Sequence, residues 1–328
     1  MKTIKKILSY IILASMVLGL VGCSPSGTLK DKDKLMIVTM IFPEYDWVRE
    51  ILGDEADNVE LIMLLDNGVD LHSFQPTAQD IANIAVCDIF IYVGGESDGW
   101  VDDALAEATN KDMKVINLLD VLGDDVKEEE VIEGMEGEEE EEVEDEEEGV
   151  EYDEHVWLSL KNAQVLVQII SDTICEVDSE HKSLYEENTS AYIEMLESLD
   201  EEYQAVVNEG TKDTILFGDR FPFRYMVDDY GLNYYAAFAG CSAETEASFE
   251  TIVFLSDKID ELGLDYIFVI ENSNEDIART IIDNTKSKNQ QILKINSMQG
   301  VTAKDVEEGV TYLSIMENNL NVLNEALK

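Results

Sequence analysis

Three histidines occur in the 328 residues, and two of them lie where a chain usually presents ligands. His72 lies within Gly68-Val-Asp-Leu-His-Ser-Phe-Gln-Pro76, a turn-rich stretch directly after an apolar run. His155 lies within Tyr152-Asp-Glu-His-Val-Trp157, just ahead of a helical pattern. A neutral imidazole offers one nitrogen lone pair to a divalent ion while its other nitrogen bonds elsewhere. Alone, either histidine reads as readily as a hydrogen-bonded structural residue. Two loop histidines at element ends in an acid-rich chain favour one shared ion. His181, in Ser179-Glu-His-Lys182, stands at a polar helix start and reads as a surface residue. Three further candidates, Cys87, Cys175 and Cys241, are widely spaced in apolar surroundings, so neither a disulfide framework nor a Cys-x-x-Cys zinc site follows, and they read as buried inert thiols. Zinc hydrolysis is the competing chemistry, with Glu154 or Glu271 as general base. The chain has neither a His-Glu-x-x-His helix motif nor a Gly-x-Ser-x-Gly elbow.

The elements that must position these groups alternate. Compact apolar runs at 35–41, 59–65, 89–93 and 115–118 are separated by helical patterns at 45–52 and 78–85. Beyond them come runs at 214–217, 234–238, 266–270 and 291–295, with helices at 223–230, 249–262, 274–285 and 310–327. Short, nearly all-apolar strands between helices predict parallel sheets buried on both faces. The expected fold is therefore α/β: an N-terminal lobe over 35–160, a helical linker over 161–210 and a C-terminal lobe over 211–328. The linker includes one long amphipathic helix with Tyr185, Tyr192, Leu196, Leu199 and Tyr203 on its apolar face. Two such lobes leave a cleft at the carboxyl ends of their strands, where ligands bind in open α/β sheets.

The charge and the amino end narrow the class further. A formal charge of −50 repels phosphate backbones and attracts cations, so nucleic acid is excluded as a partner. Fifteen of the 22 residues from Glu128 to Gly149 are acidic. Such a run repels itself and buries little, so the stretch 127–151 is expected to be a disordered loop. Lys2, Lys5 and Lys6 precede an apolar run from Ile7 to Leu20 that is short for a membrane span, and Leu20-Val21-Gly22-Cys23 follows. This pattern predicts an export signal over 1–22 and a tether over 23–34. The Leu-x-Gly-Cys sequence resembles a bacterial lipobox, which implies lipidation of Cys23.

Several ordered stretches together carry a wider resemblance. They are Val69-Asp-Leu-His-Ser-Phe-Gln-Pro-Thr77, Tyr92-Val-Gly-Gly-Glu96 with Trp100, and Asp153-Glu-His-Val-Trp-Leu158. Later come Tyr230-Gly-Leu232, Glu246-Ala-Ser248, Ile267-Phe-Val-Ile-Glu271 and Tyr312-Leu-Ser-Ile-Met-Glu-Asn-Asn-Leu320. Across the mature chain the sequence resembles the solute-binding lipoproteins of zinc and manganese ABC importers, the ZnuA-like and TroA-like group. The resemblance implies an extracytoplasmic, membrane-anchored, monomeric, non-enzymatic metal carrier serving an ABC permease, with His72 and His155 as ligands. The family's third ligand falls on Arg220, which cannot ligate because guanidinium stays protonated. Asp219, one residue earlier, takes the role after a one-residue shift. The fourth falls on Asn296, with Glu271 as the competing candidate, either as ligand or as a partner orienting a histidine. Zinc is expected ahead of manganese because zinc-binding members carry an insertion before the second histidine, here acidic only. Affinity is expected to fall below about pH 6.5, since imidazole must be neutral to bind.

Overall fold

Strand formation follows the apolar runs. Met36–Thr39 (β1), Glu60–Met63 (β2), Ile89–Tyr92 (β3) and Lys114–Asn117 (β4) pair in parallel in the order β2-β1-β3-β4. The central strand β1 is buried along its whole length, as expected of a parallel strand covered on both faces. A second parallel sheet has the order β6-β5-β7-β8, formed by Thr214–Phe221 (β5), Asn233–Ala239 (β6), Tyr266–Ile270 (β7) and Gln291–Ile295 (β8). These features come from a computed structural model that describes residues 34–136, 151–242 and 246–328. The export signal, Cys23 and nearly all of the tether lie outside the described residues, as does the most acidic stretch, 137–150.

Helices begin where side chains satisfy the first unpaired N–H groups. Phe42–Leu52 (α1) has Pro43 in its first turn, and Glu44 Oε2 accepts from the N–H of Met40 at 2.7 Å and of Ile41 at 3.3 Å. Ala78–Val86 (α2) starts at Thr77, whose Oγ1 accepts from Asp80 N while Asp80 accepts from Thr77 N at 2.7 Å. Val101–Ala106 (α3) and Leu118–Leu122 (α4) complete the first sheet's helices.

Leu160–Val177 (α5) and Lys182–Glu209 (α6) link the sheets. At 28 residues α6 is about 42 Å long. Its apolar face is the expected one: Tyr185, Tyr192, Leu196, Leu199 and Tyr203 are all buried. The second sheet carries Arg224–Tyr230 (α7), Phe249–Leu262 (α8), Asp276–Asn284 (α9), Ala303–Glu307 (α10) and Tyr312–Ala326 (α11). Tyr203 Oη donates to the Met316 carbonyl at 2.6 Å, tying α6 to α11. One apolar core runs from β1 through α5 and α6 to β5 and α11, and a smaller cluster lies between the second sheet and α8 and α9. Lys34–Lys328 is thus a single compact unit containing both sheets. No helix among the described residues is long and apolar enough to cross a membrane.

One expectation needs correction at its edges. Residues 127–136, at the start of the stretch read as disordered, are held in place. Glu129 N donates to Glu151 O at 2.9 Å, Asp153 N to Lys127 O at 2.9 Å, and Glu136 N to Ala237 O at 2.9 Å. Met135 is buried, and Ile132 packs against the core. Acid count alone missed this because Ile132 and Met135 interrupt the charges with groups that gain from burial.

Candidate metal centre

His72 owes its position to a short turn. Asp70 Oδ1 accepts from His72 N at 3.1 Å, starting a one-turn helix over Leu71–Ser73, and buried Leu71 anchors it. The imidazole is thereby turned inward, its Nδ1 2.8 Å from Ser97 Oγ and 3.6 Å from Glu154 Oε2. Gly95 makes that neighbourhood possible. Its φ is 87°, and a Cβ there would lie 2.4 Å from Glu154 Oε1. Burial first, and the carboxylate Asp153 among smaller contributions, raises the Glu154 carboxyl.

His155 is fully buried. Its neighbour two residues back fixes it twice: Asp153 Oδ1 accepts from the His155 N–H at 2.8 Å and from Nδ1 at 2.9 Å. With Nδ1 carrying the proton, Nε2 presents a lone pair. Asp153 is itself held, since Tyr225 Oη donates to its carbonyl at 2.8 Å. Downstream, Trp157 Nε1 donates to the Ser297 carbonyl at 2.9 Å, and Ser159 caps α5.

The two imidazoles meet with Nε2 to Nε2 at 3.3 Å. Two nitrogens each about 2.05 Å from a tetrahedral zinc ion stand about 3.3 Å apart. The pair therefore has the edge length that one shared ion requires. Burial, and next the adjacent His155 ring, push the His72 pKa from 6.5 down to about 3. Burial therefore favours the neutral form of the His72 ring, the form that can bind a metal ion.

The other expected ligands are elsewhere. Glu271 spends both oxygens on the loop after β8, accepting from Ser297 N at 2.8 Å, Ser297 Oγ at 3.0 Å and Gly300 N at 3.2 Å. Asn296 Oδ1 accepts from Met298 N at 2.7 Å within that loop. Asp219 lies inside β5, at an irregularity between Phe217 and Arg220, because the strand runs on to Phe221 instead of ending after four residues. One of its oxygens accepts from Arg220 N at 2.9 Å; the other is buried without a hydrogen-bond partner. Asp219, Arg220 and Asp70 line an adjoining cleft of about 390 Å³. Arg220 pairs with Asp70 across it. Burial would raise the Asp70 carboxyl, but the Arg220 guanidinium outweighs it and holds the group below its ordinary range. His181 pairs with Asp178 at 2.8 Å and is partly exposed, away from this pair.

Some site residues were not legible beforehand. The Gln299 side-chain amide approaches His155 Nε2 at 3.2 Å, a contact 144 positions apart in sequence. Cys241, read as an inert thiol, is half-buried, and among the described residues it forms with His72 and His155 the one group whose ligand atoms all lie within 4.8 Å of one another. Burial, reinforced by Asp153, Glu129 and Glu154, raises its thiol pKa. Neither Asp219 nor Glu271 belongs to that group. The only hint in the sequence was Gly240-Cys241 directly after an apolar strand.

Known proteins resemble this chain over most of its length. Residues 37–326 match the family model for ZnuA, the periplasmic component A of the zinc-uptake complex. The high-affinity zinc uptake system protein ZnuA of Bacillus subtilis strain 168 is 30% identical over 328 residues, covering 98% of each chain. The zinc-binding lipoprotein AdcA of Streptococcus pneumoniae strain R6 is 32% identical over 325 residues, covering 98% of this chain but 61% of AdcA. This chain thus spans about three fifths of that relative's length. The Zn(II)-bound ZnuA-like domain of Streptococcus pneumoniae AdcA superposes with a TM-score of 0.69 at 27% identity, over 90% of this chain and 99% of that domain. With nearly its whole described length matched by the family model, the chain belongs to the ZnuA family of zinc-uptake components.

Proposed function

We propose that this protein captures a zinc ion at His72 and His155 and delivers it to the permease of an ABC importer, without catalysing a reaction. The observation that carries the reading is the 3.3 Å separation of the two Nε2 atoms, the edge of a tetrahedral zinc site. Burial supports it further, because it favours the neutral form of His72 that a metal ion requires. The names of the relatives, zinc uptake protein and zinc-binding lipoprotein, point the same way. We assign 1–22 to an export signal and Cys23 to lipidation, which would hold a monomeric carrier on the outer face of the membrane.

The test is calorimetric. Replacing His72 and His155 by Ala together should abolish tight zinc binding while leaving the circular dichroism spectrum intact. Unchanged affinity in the double variant refutes the reading, and chelator-sensitive turnover of an ester, peptide or phosphate substrate would replace it with hydrolysis. Manganese titrated in the same cell should bind far more weakly than zinc.

A further inference from the structure

Two imidazoles leave a zinc ion short of its preferred four ligands. Neither expected carboxylate fills the gap: Glu271 is consumed by Ser297 and Gly300, and Asp219 lies outside the group of converging ligand atoms. The sulfur that does converge comes from the second sheet, at the carboxyl end of β6. After the irregularity between Phe217 and Arg220 that strand pairs with β5 again up to its last residue, Ala239 opposite Phe221, which holds its end. The next residue must then pass close to the ring of His155.

Gly240 permits this passage. A Cβ at that position would lie 2.9 Å from the Phe221 carbonyl, 3.1 Å from His155 Cε1 and 3.2 Å from His155 Nδ1. Only the residue without a side chain lets the backbone touch the imidazole and turn there. Glu129 Oε1 then accepts the N–H of Cys241 at 3.1 Å, fixing the backbone from the opposite side. The result brings Sγ within 4.8 Å of the ligand nitrogens of His72 and His155. In a tetrahedral site with sulfur about 2.3 Å and nitrogen about 2.05 Å from zinc, sulfur and nitrogen stand about 3.6 Å apart. The sulfur therefore has at most about 1.2 Å to travel on binding.

We propose that Cys241 Sγ is a zinc ligand, forming with His72 and His155 a two-nitrogen, one-sulfur set of three protein ligands. The inference deepens the zinc-capture reading and rests on it. On binding, the thiol loses its proton to solvent and the thiolate sulfur forms the bond to zinc, while the imidazoles donate as neutral bases. The consequence is twofold. His72 and His155 follow the first sheet, whereas Cys241 follows a strand of the second, so the ion cross-links the two. A thiolate also favours zinc, cobalt and cadmium and disfavours manganese, which prefers oxygen donors.

Cobalt(II) serves as a spectroscopic stand-in for zinc. The full-length protein loaded with cobalt should show a thiolate-to-cobalt charge-transfer band in the near ultraviolet beside the visible bands of a tetrahedral ion. Cys241→Ser should remove the charge-transfer band and weaken zinc binding by at least about tenfold, equivalent to about 1.4 kcal/mol. Gly240→Ala, which leaves the sulfur in the chain but displaces its backbone, should weaken the band and the affinity together. Visible cobalt bands that disappear in His155→Ala, with no charge-transfer band in the unaltered protein, overturn the Cys241 assignment and leave zinc capture standing. Cobalt and zinc affinities that survive loss of both histidines overturn zinc capture itself. The band in the unaltered protein decides the assignment even if Cys241→Ser folds poorly.

Discussion

His155 has its Nδ1 on Asp153 and its Nε2 pointed at His72, so the carboxylate two residues upstream determines which nitrogen is free. A carboxylate behind a ligating imidazole raises the basicity of the ligand and holds its plane. Asp153→Asn keeps the size of the side chain and removes its charge. We expect zinc affinity to drop about 10- to 100-fold with the fold retained, measured by competition with a chromophoric chelator. A drop no larger than that of a surface Asp→Asn control would show that Asp153 only shapes the turn. The Asp-x-His spacing was legible as a motif, but its purpose was not: both bonds to one oxygen require a tight local backbone.

At the scale of elements, the loop after β8 decides how the second sheet closes over the histidines. Glu271 directly follows β7 and reaches across to hold Ser297 and Gly300, and that loop supplies Gln299 to His155 and the Ser297 carbonyl to Trp157. Glu271 therefore acts as a brace for the loop. The two possibilities separate experimentally, because a brace matters without metal and a ligand matters with it. Glu271→Ala should lower the stability of chelator-treated protein by about 2 kcal/mol, the scale for losing charge-assisted hydrogen bonds. Its effect on zinc affinity should be smaller than that of either histidine. An apo-protein as stable as the parent, combined with lost zinc binding, would restore Glu271 as a ligand. Strand ends were hard to read for a related reason. The apolar run from Thr214 suggested a four-residue strand, yet β5 continues through Gly218-Asp219-Arg220 to Phe221 by pairing with β6, and pairing is a property of two segments.

For the molecule as a whole, pH acts through acids buried in the first sheet's side of the core. Glu44 is fully buried, and desolvation lifts its pKa from 4.5 to about 8; Asp98 rises to about 7 and Asp46 to about 6 for the same leading reason. In each case the folded state keeps a proton that the unfolded chain has released. Stability is therefore fully present below about pH 4 on this account and is lost as pH climbs toward the folded pKa of each group. Thermal unfolding of the apo-protein should give a lower midpoint at pH 8 than at pH 6, and Glu44→Gln should flatten the difference, since a neutral amide cannot ionise. A midpoint that rises from pH 6 to pH 8 in the parent and the variant alike would show that Glu44 is not protonated in the fold.

Local sequence determined a good deal. The apolar runs marked eight short parallel strands because a strand covered by helices on both faces is mostly apolar. The 3.6-residue period marked α6 and its tyrosine stripe, and the two histidine motifs marked the imidazole pair of the candidate metal centre. Tertiary structure decided the rest. Which oxygen, sulfur or amide joins His72 and His155 depends on where β6 and the loop after β8 end in space, and those contacts join positions 86 to 169 or more residues apart, from His155 to Cys241 and from His72 to Cys241. A ligand set is a distance relation among groups brought together by sheet packing, and a one-dimensional spacing records such a relation only when a single turn makes it.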